Sequence, residues 1–139
     1  MLSCCFYSSF VFLMNSGLAC IHRYYLYSLL FFILFVSSLI FHSNTTNYTL
    51  FIDKISICAI VFYGGVMFAA KSIQCNPCFC NLYLIINDHI HFFSDYLFLY
   101  YYGFLQKKYC YHPDITIANL YHSFLHLISF IGHSLIITM

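Results

Sequence analysis

The chain has 139 residues, of which 63% are hydrophobic and 6% charged, with a formal net charge of +1. That length allows one domain. A soluble domain of this size is roughly a quarter charged and leaves much of its surface in water, so a water-soluble globule is excluded and lipid is the expected solvent. The near-zero charge provides no basic field for nucleic acid.

The first expected helix is 2–21. It is apolar but interrupted by Asn15, Ser16 and Gly17. The start, Met1-Leu2-Ser3-Cys4-Cys5, lacks a basic region of the kind that opens a cleaved signal, so the segment is read as a retained helix. After His22-Arg23 comes the strongest candidate, 24–42, centred on Leu29 to Val36. The polar loop Ser43 to Thr49 follows, then a third helix over 50–70 with Asp53 and Lys54 near its start. A loop at 71–80 carries Asn76-Pro77.

The stretch 79–106 holds Asn87, Asp88, His89, His91 and Asp95 in its middle. It is read as one long tilted helix or as two half-length segments. The last helix is expected over 115–138. The architecture is thus an all-α, polytopic transmembrane bundle over 1–139, with about five spanning helices, or six if 79–106 divides. Tyrosines at Tyr24-Tyr25, Tyr100-Tyr101-Tyr102 and Tyr109/Tyr111 sit near helix ends, where an interfacial aromatic belt belongs.

The eight cysteines do not make a secreted disulfide framework, and several lie in apolar runs where a thiol acts as a small hydrophobe. Cys75-x-x-Cys78-x-Cys80 falls short of a four-ligand zinc site. His89 and His91, two apart, face different sides of a helix.

Ionisable groups inside a membrane segment are costly, so each one raises a functional question. The last helix carries His122, His126 and His133. At 100° per residue the second lies about 40° and the third about 20° from the first, on one face. His122-x-x-x-His126 places two imidazoles one turn apart, at about 5–6 Å between Cβ atoms, a spacing that suits one metal ion. His133 lies roughly 10 Å farther along the axis, too far to share it.

The second helix ends in Ser38-x-x-x-His42, and Asp53 follows eleven residues later at the mouth of the third. A hairpin through Ser43–Thr49 brings His42 and Asp53 to one membrane side. If the last helix packs there, His42, His122 and His126 converge, with their nearest nitrogens within about 3–5 Å of one another. Three His ligands plus water form a zinc site with an open position. A free carboxylate beside it acts as general base, and a hydroxyl donates to a developing oxyanion.

Each piece also has a plain reading. One HxxxH arises readily in a chain with eight histidines, and a serine in lipid commonly bonds its own helix. An aspartate at a helix start is favoured by the dipole, and Lys54 adjoins Asp53. The abundance of Phe, Tyr, Ile and Asn also fits an AT-rich coding sequence and a hydrophobic peptide with no selected function.

Taken together, Ser38, His42, Asp53, His122 and His126 resemble the pattern of the CREST superfamily of membrane hydrolases, which includes the alkaline ceramidases and the progestin and adipoQ receptors. The eleven-residue step from His42 to Asp53 is more similar to the ceramidases. The resemblance implies a zinc ion held by His42, His122 and His126, with Asp53 acting on the zinc-associated water and Ser38 supporting the site. It also implies a lipid amide or ester as substrate and the endoplasmic reticulum or another internal membrane as location.

Members of that family usually have seven helices, so the resemblance implies a shortened member, and no N-terminal acidic calcium motif is visible. The alternative function is a non-enzymatic or degenerate membrane protein of the same fold. The metal arrangement requires the last helix to run parallel to the third, which favours five spans. Orientation rests on Lys54, Lys107 and Lys108 against Arg23 and Lys71, a lean towards a cytosolic site. The sequons at Asn44 and Asn47 pull weakly the other way.

Overall fold

A computed structural model describes residues 4–74 and 102–139. Among them there is no strand, and four segments are helical, long and apolar enough to cross a membrane: Cys4–Ile21, Tyr25–Ser43, Asn47–Ser72 and Ile115–Thr138. The helices are α1 (Cys4–Ser8), α2 (Phe10–Ile21), α3 (Tyr25–Ser43), α4 (Asn47–Gln74), α5 (Gly103–Gln106) and α6 (Ile115–Thr138), with a 3-10 turn at Tyr109–Tyr111. Most of the expected helix 79–106 lies outside the described residues, as do Cys75, Cys78, Cys80, His89 and His91.

Polarity is distributed inside out. The outer faces carry Met14, Phe51, Phe62 and Leu120, each more than 60% exposed, whereas Ser9, Asn15, Ser38, Asp53, His126 and His133 are buried. In lipid this arrangement is favourable, because apolar side chains face hydrocarbon while polar groups satisfy one another inside. The core of Phe12, Ala19, Tyr27, Phe31, Leu34, Ile60, Ile136 and Ile137 draws on α2, α3, α4 and α6.

Asn15 and Ser16, which weaken the first span in sequence, tie it to its neighbours. Asn15 Nδ2 donates to Phe130 O at 3.4 Å and its Oδ1 accepts from Ser134 Oγ at 2.8 Å, joining α2 to α6. Ser16 Oγ donates to Ser28 O at 2.8 Å, joining α2 to α3. Tests of such bonds in membrane bundles give about 0.6 kcal/mol each.

Two boundaries differ from the sequence expectation. The first span is not one helix over 2–21 but is broken at Ser9, whose hydroxyl donates to Cys5 O at 2.8 Å. The third runs over Asn47–Gln74 and not 50–70, so little of the polar loop remains. Its early start has a local cause. Thr46 Oγ1 accepts from Thr49 N–H at 3.1 Å while Thr49 Oγ1 accepts from Thr46 N–H at 2.9 Å, a reciprocal cap with threonine in the place usually held by glutamate. The last helix begins as expected, capped by Asp114, whose carboxylate accepts from Thr116 N–H at 2.8 Å.

Helices α4 and α6 run in the same direction. Asp53, early in α4, and His122, early in α6, line one cleft. At the other end the Lys71 ammonium donates to the carbonyls of Ile136 and Ile137, both at 2.8 Å, and lies 4.6 Å above the Tyr24 ring. A cation on the orphan carbonyls at a helix C-terminus is favourable both as hydrogen bonding and through the dipole.

Candidate metal centre

The end of α3 and the first half of α6 bring three imidazoles together. His42 is in the last turn of α3, and His122 and His126 are one turn apart on α6. One ligand atom from each lies within 4.8 Å of the other two. The ring centroids are 5.1 Å apart for His42–His122, 5.5 Å for His42–His126 and 4.9 Å for His122–His126. A cation bonded to three imidazole nitrogens at about 2.0–2.1 Å needs those nitrogens about 3–4 Å apart, so small side-chain adjustments close the trio around an ion.

The polar groups of the cleft point the same way. Among the described residues, the buried side-chain N and O atoms with no hydrogen-bond partner are His42 Nε2 and Asp53 Oδ1. Buried polar atoms are nearly always paired, so an orphan in the trio and another in the cleft beside it call for a ligand. Asp53 is 2% exposed and lines the cleft with Ser38, Lys54, His122 and His126. The remaining wall is Ser129 and the apolar side chains of Phe12, Leu34, Ile57 and Leu125. Three histidines and no thiolate suit a borderline divalent transition-metal ion.

Ser38 is buried among the same groups, and its Oγ lies 3.0 Å from Ser9 Oγ. Ser9 also reaches Cys5 O, so its single proton has two acceptors. When Ser9 donates to Ser38, the Ser38 proton is free for the cleft.

His133 shares the face of His122 and His126 but not their site. It is 5% exposed and its Nδ1 is hydrogen-bonded to the Tyr27 hydroxyl, with its ring edge-on to Phe31 at 5.2 Å. Gly64 makes room for this pair: a Cβ there would lie 2.7 Å from Tyr27 Oη and 2.9 Å from His133 Cε1.

Sequence reasoning missed Ser8 and Ser9. Ser8 Oγ lies 2.8 Å from His126 Nδ1, and the two hydroxyls touch both His126 and Ser38. The available signal was a Ser-Ser pair within an otherwise apolar run, but serines recur throughout this chain and nothing local marks these two.

No protein-family model matches the chain, and neither a curated protein nor a solved structure matches it.

Proposed function

We propose that this chain is a zinc-dependent integral-membrane hydrolase of ceramidase-like type, a shortened member of the CREST superfamily, acting on a long-chain lipid amide or ester in the endoplasmic reticulum or another internal membrane. The observation that carries the reading is the convergence of His42, His122 and His126 inside an apolar bundle, with a buried, unpartnered carboxylate oxygen of Asp53 in the adjoining cleft. The parallel course of α4 and α6 supports a bundle of five spans, since an odd number of crossings then separates them.

His42, His122 and His126 would supply three imidazole ligands to the ion. When bound, zinc supplies Lewis acidity and makes water acidic enough to act as a nucleophile near neutral pH. Asp53 would accept the proton that water releases as its oxygen adds to the acyl carbon. As the carbon–nitrogen or carbon–oxygen bond breaks, the same carboxyl group returns that proton to the leaving amine or alkoxide. Ser38, when its proton is free, donates to the oxygen on which charge accumulates. The apolar wall formed by Phe12, Leu34, Ile57 and Leu125 suits an acyl chain approaching from the lipid.

The test is metal analysis and turnover of the full chain purified in detergent micelles or nanodiscs. The expected result is one zinc per chain and release of fatty acid from a long-chain N-acyl sphingoid base or a long-chain ester, abolished by a chelator and restored by zinc. A chain that takes up no metal sinks the reading. A chain that binds zinc but hydrolyses neither long-chain amides nor esters is the non-enzymatic alternative.

A further inference from the structure

Ser8, the last residue of α1, lies against the histidine trio. Ser8 is half-buried, with its Oγ 2.8 Å from His126 Nδ1 and 3.1 Å from the carbonyl oxygen of Cys5 in its own helix. A serine hydroxyl has one proton to give and can also accept. Two arrangements satisfy these distances. In one, Ser8 donates to Nδ1, which leaves the proton of a neutral His126 on Nε2. In the other, His126 carries its proton on Nδ1 and donates it to Ser8 Oγ, while Ser8 donates to Cys5 O. Only the second leaves a lone pair on Nε2, the nitrogen that Ser8 does not engage.

We infer that Ser8 is the positioning residue of this centre: it accepts from His126 Nδ1–H, passes its own proton to the Cys5 carbonyl, and thereby turns the Nε2 lone pair of His126 towards the metal. This inference rests on the metal reading above. It adds a role for the N-terminal helix, which contributes no ligand and yet sets the tautomer and ring direction of one. Other contacts hold α1 in register for the task. Cys5 Sγ donates to Asn119 O on α6 at 3.1 Å and accepts from Ser123 Oγ at 3.5 Å. The arrangement follows a general rule of metal sites, in which the second ring nitrogen of a ligating histidine donates to an oxygen acceptor.

The experiment measures zinc affinity of the folded full chain by competition with a chromogenic chelator, together with the melting temperature of the zinc-free protein. Ser8→Ala is expected to weaken zinc binding about 10- to 100-fold, the usual effect of losing such a partner. Ser8→Thr, which keeps the hydroxyl, is expected to bind within about threefold of the native chain, an allowance for its added methyl in a close-packed site. If Ser8→Ala lowers the zinc-free melting temperature but binds zinc as tightly as the native chain, Ser8 is a packing residue and the inference fails while the metal reading stands. If Ser8→Ala fails to fold, Ser8→Thr decides: weakening as large as that expected for alanine removes the positioning role. A native chain with no zinc affinity removes both this inference and the reading beneath it.

Discussion

His126 and His133 are seven residues apart on one face of α6, and both are buried, yet their surroundings give them opposite characters. At His133 the tyrosine hydroxyl of α3 engages Nδ1, phenylalanine packs the ring, and the missing side chain of Gly64 lets α4 close over the pair. At His126 a serine hydroxyl also engages Nδ1 and Phe12 packs the ring, but the neighbours are two further imidazoles, and the adjoining groups include a His42 nitrogen and an Asp53 oxygen with no partner. A buried polar group is stabilising when paired and costly when not. The His133 end therefore fastens the bundle, and the His126 end holds unmet hydrogen-bonding capacity that a ligand relieves. Position on a helix face does not distinguish the two, but the groups brought up by the other helices do.

Four experiments break or sharpen that contrast. The largest effect is expected from removing one imidazole. His122→Ala is expected to abolish zinc uptake and bring hydrolysis to background, whereas His133→Ala retains one zinc per chain by metal analysis. In thermal unfolding, zinc at a thousand times its dissociation constant is expected to add about 4 kcal/mol to the native chain and nothing to His122→Ala. Equal zinc content in the two variants would erase the distinction between the two ends.

Next is Asp53→Asn, which keeps shape but removes the proton acceptor. Turnover of the long-chain substrate is expected to fall about 100- to 10,000-fold with zinc content unchanged. Loss of zinc in this variant would instead make the carboxylate a ligand.

A smaller effect is expected on the paired side. Gly64→Ala drives a methyl into Tyr27 and His133 and is expected to cost about 1–3 kcal/mol of stability. Gly65→Ala, where an added Cβ meets nothing within 4 Å, is expected to be neutral or to gain up to about 1 kcal/mol from helix propensity. Comparable losses from both would mean that α4 does not pack on α3 and α6 through Gly64. The smallest effect is Asn15→Ala, at about 1.2 kcal/mol in a membrane unfolding assay, since it removes two interhelical hydrogen bonds and touches neither histidine by a bond of its own.

Part of the site is legible in the sequence alone. His42, His122 and His126 stand out because histidine in an apolar helix is expensive and one-turn spacing aligns two of them. The distance along the helix axis separates His133 from the other two, and the fold gives it a partner of its own. Ser8 and Ser9 are not legible in this way. A serine in lipid is cheap, bonds its own helix as readily as another group, and gains a role only from what packs beside it. Asn15 and Ser16 look like defects in the first span for the same reason, since their partners on α6 and α3 are not neighbours in the chain.

The lipid-facing character and helical class of this protein are set by composition and by the length of its apolar runs. Those runs satisfy their own backbone, and no other short-range solution exists in hydrocarbon. The start of α6 at Asp114 is likewise local, while the start of α4 follows from a reciprocal threonine cap that composition alone does not reveal. Which buried polar groups find partners and which face an open cleft is decided by tertiary packing. That pairing depends on distances between helices far apart in the chain, and no spacing along one helix encodes them.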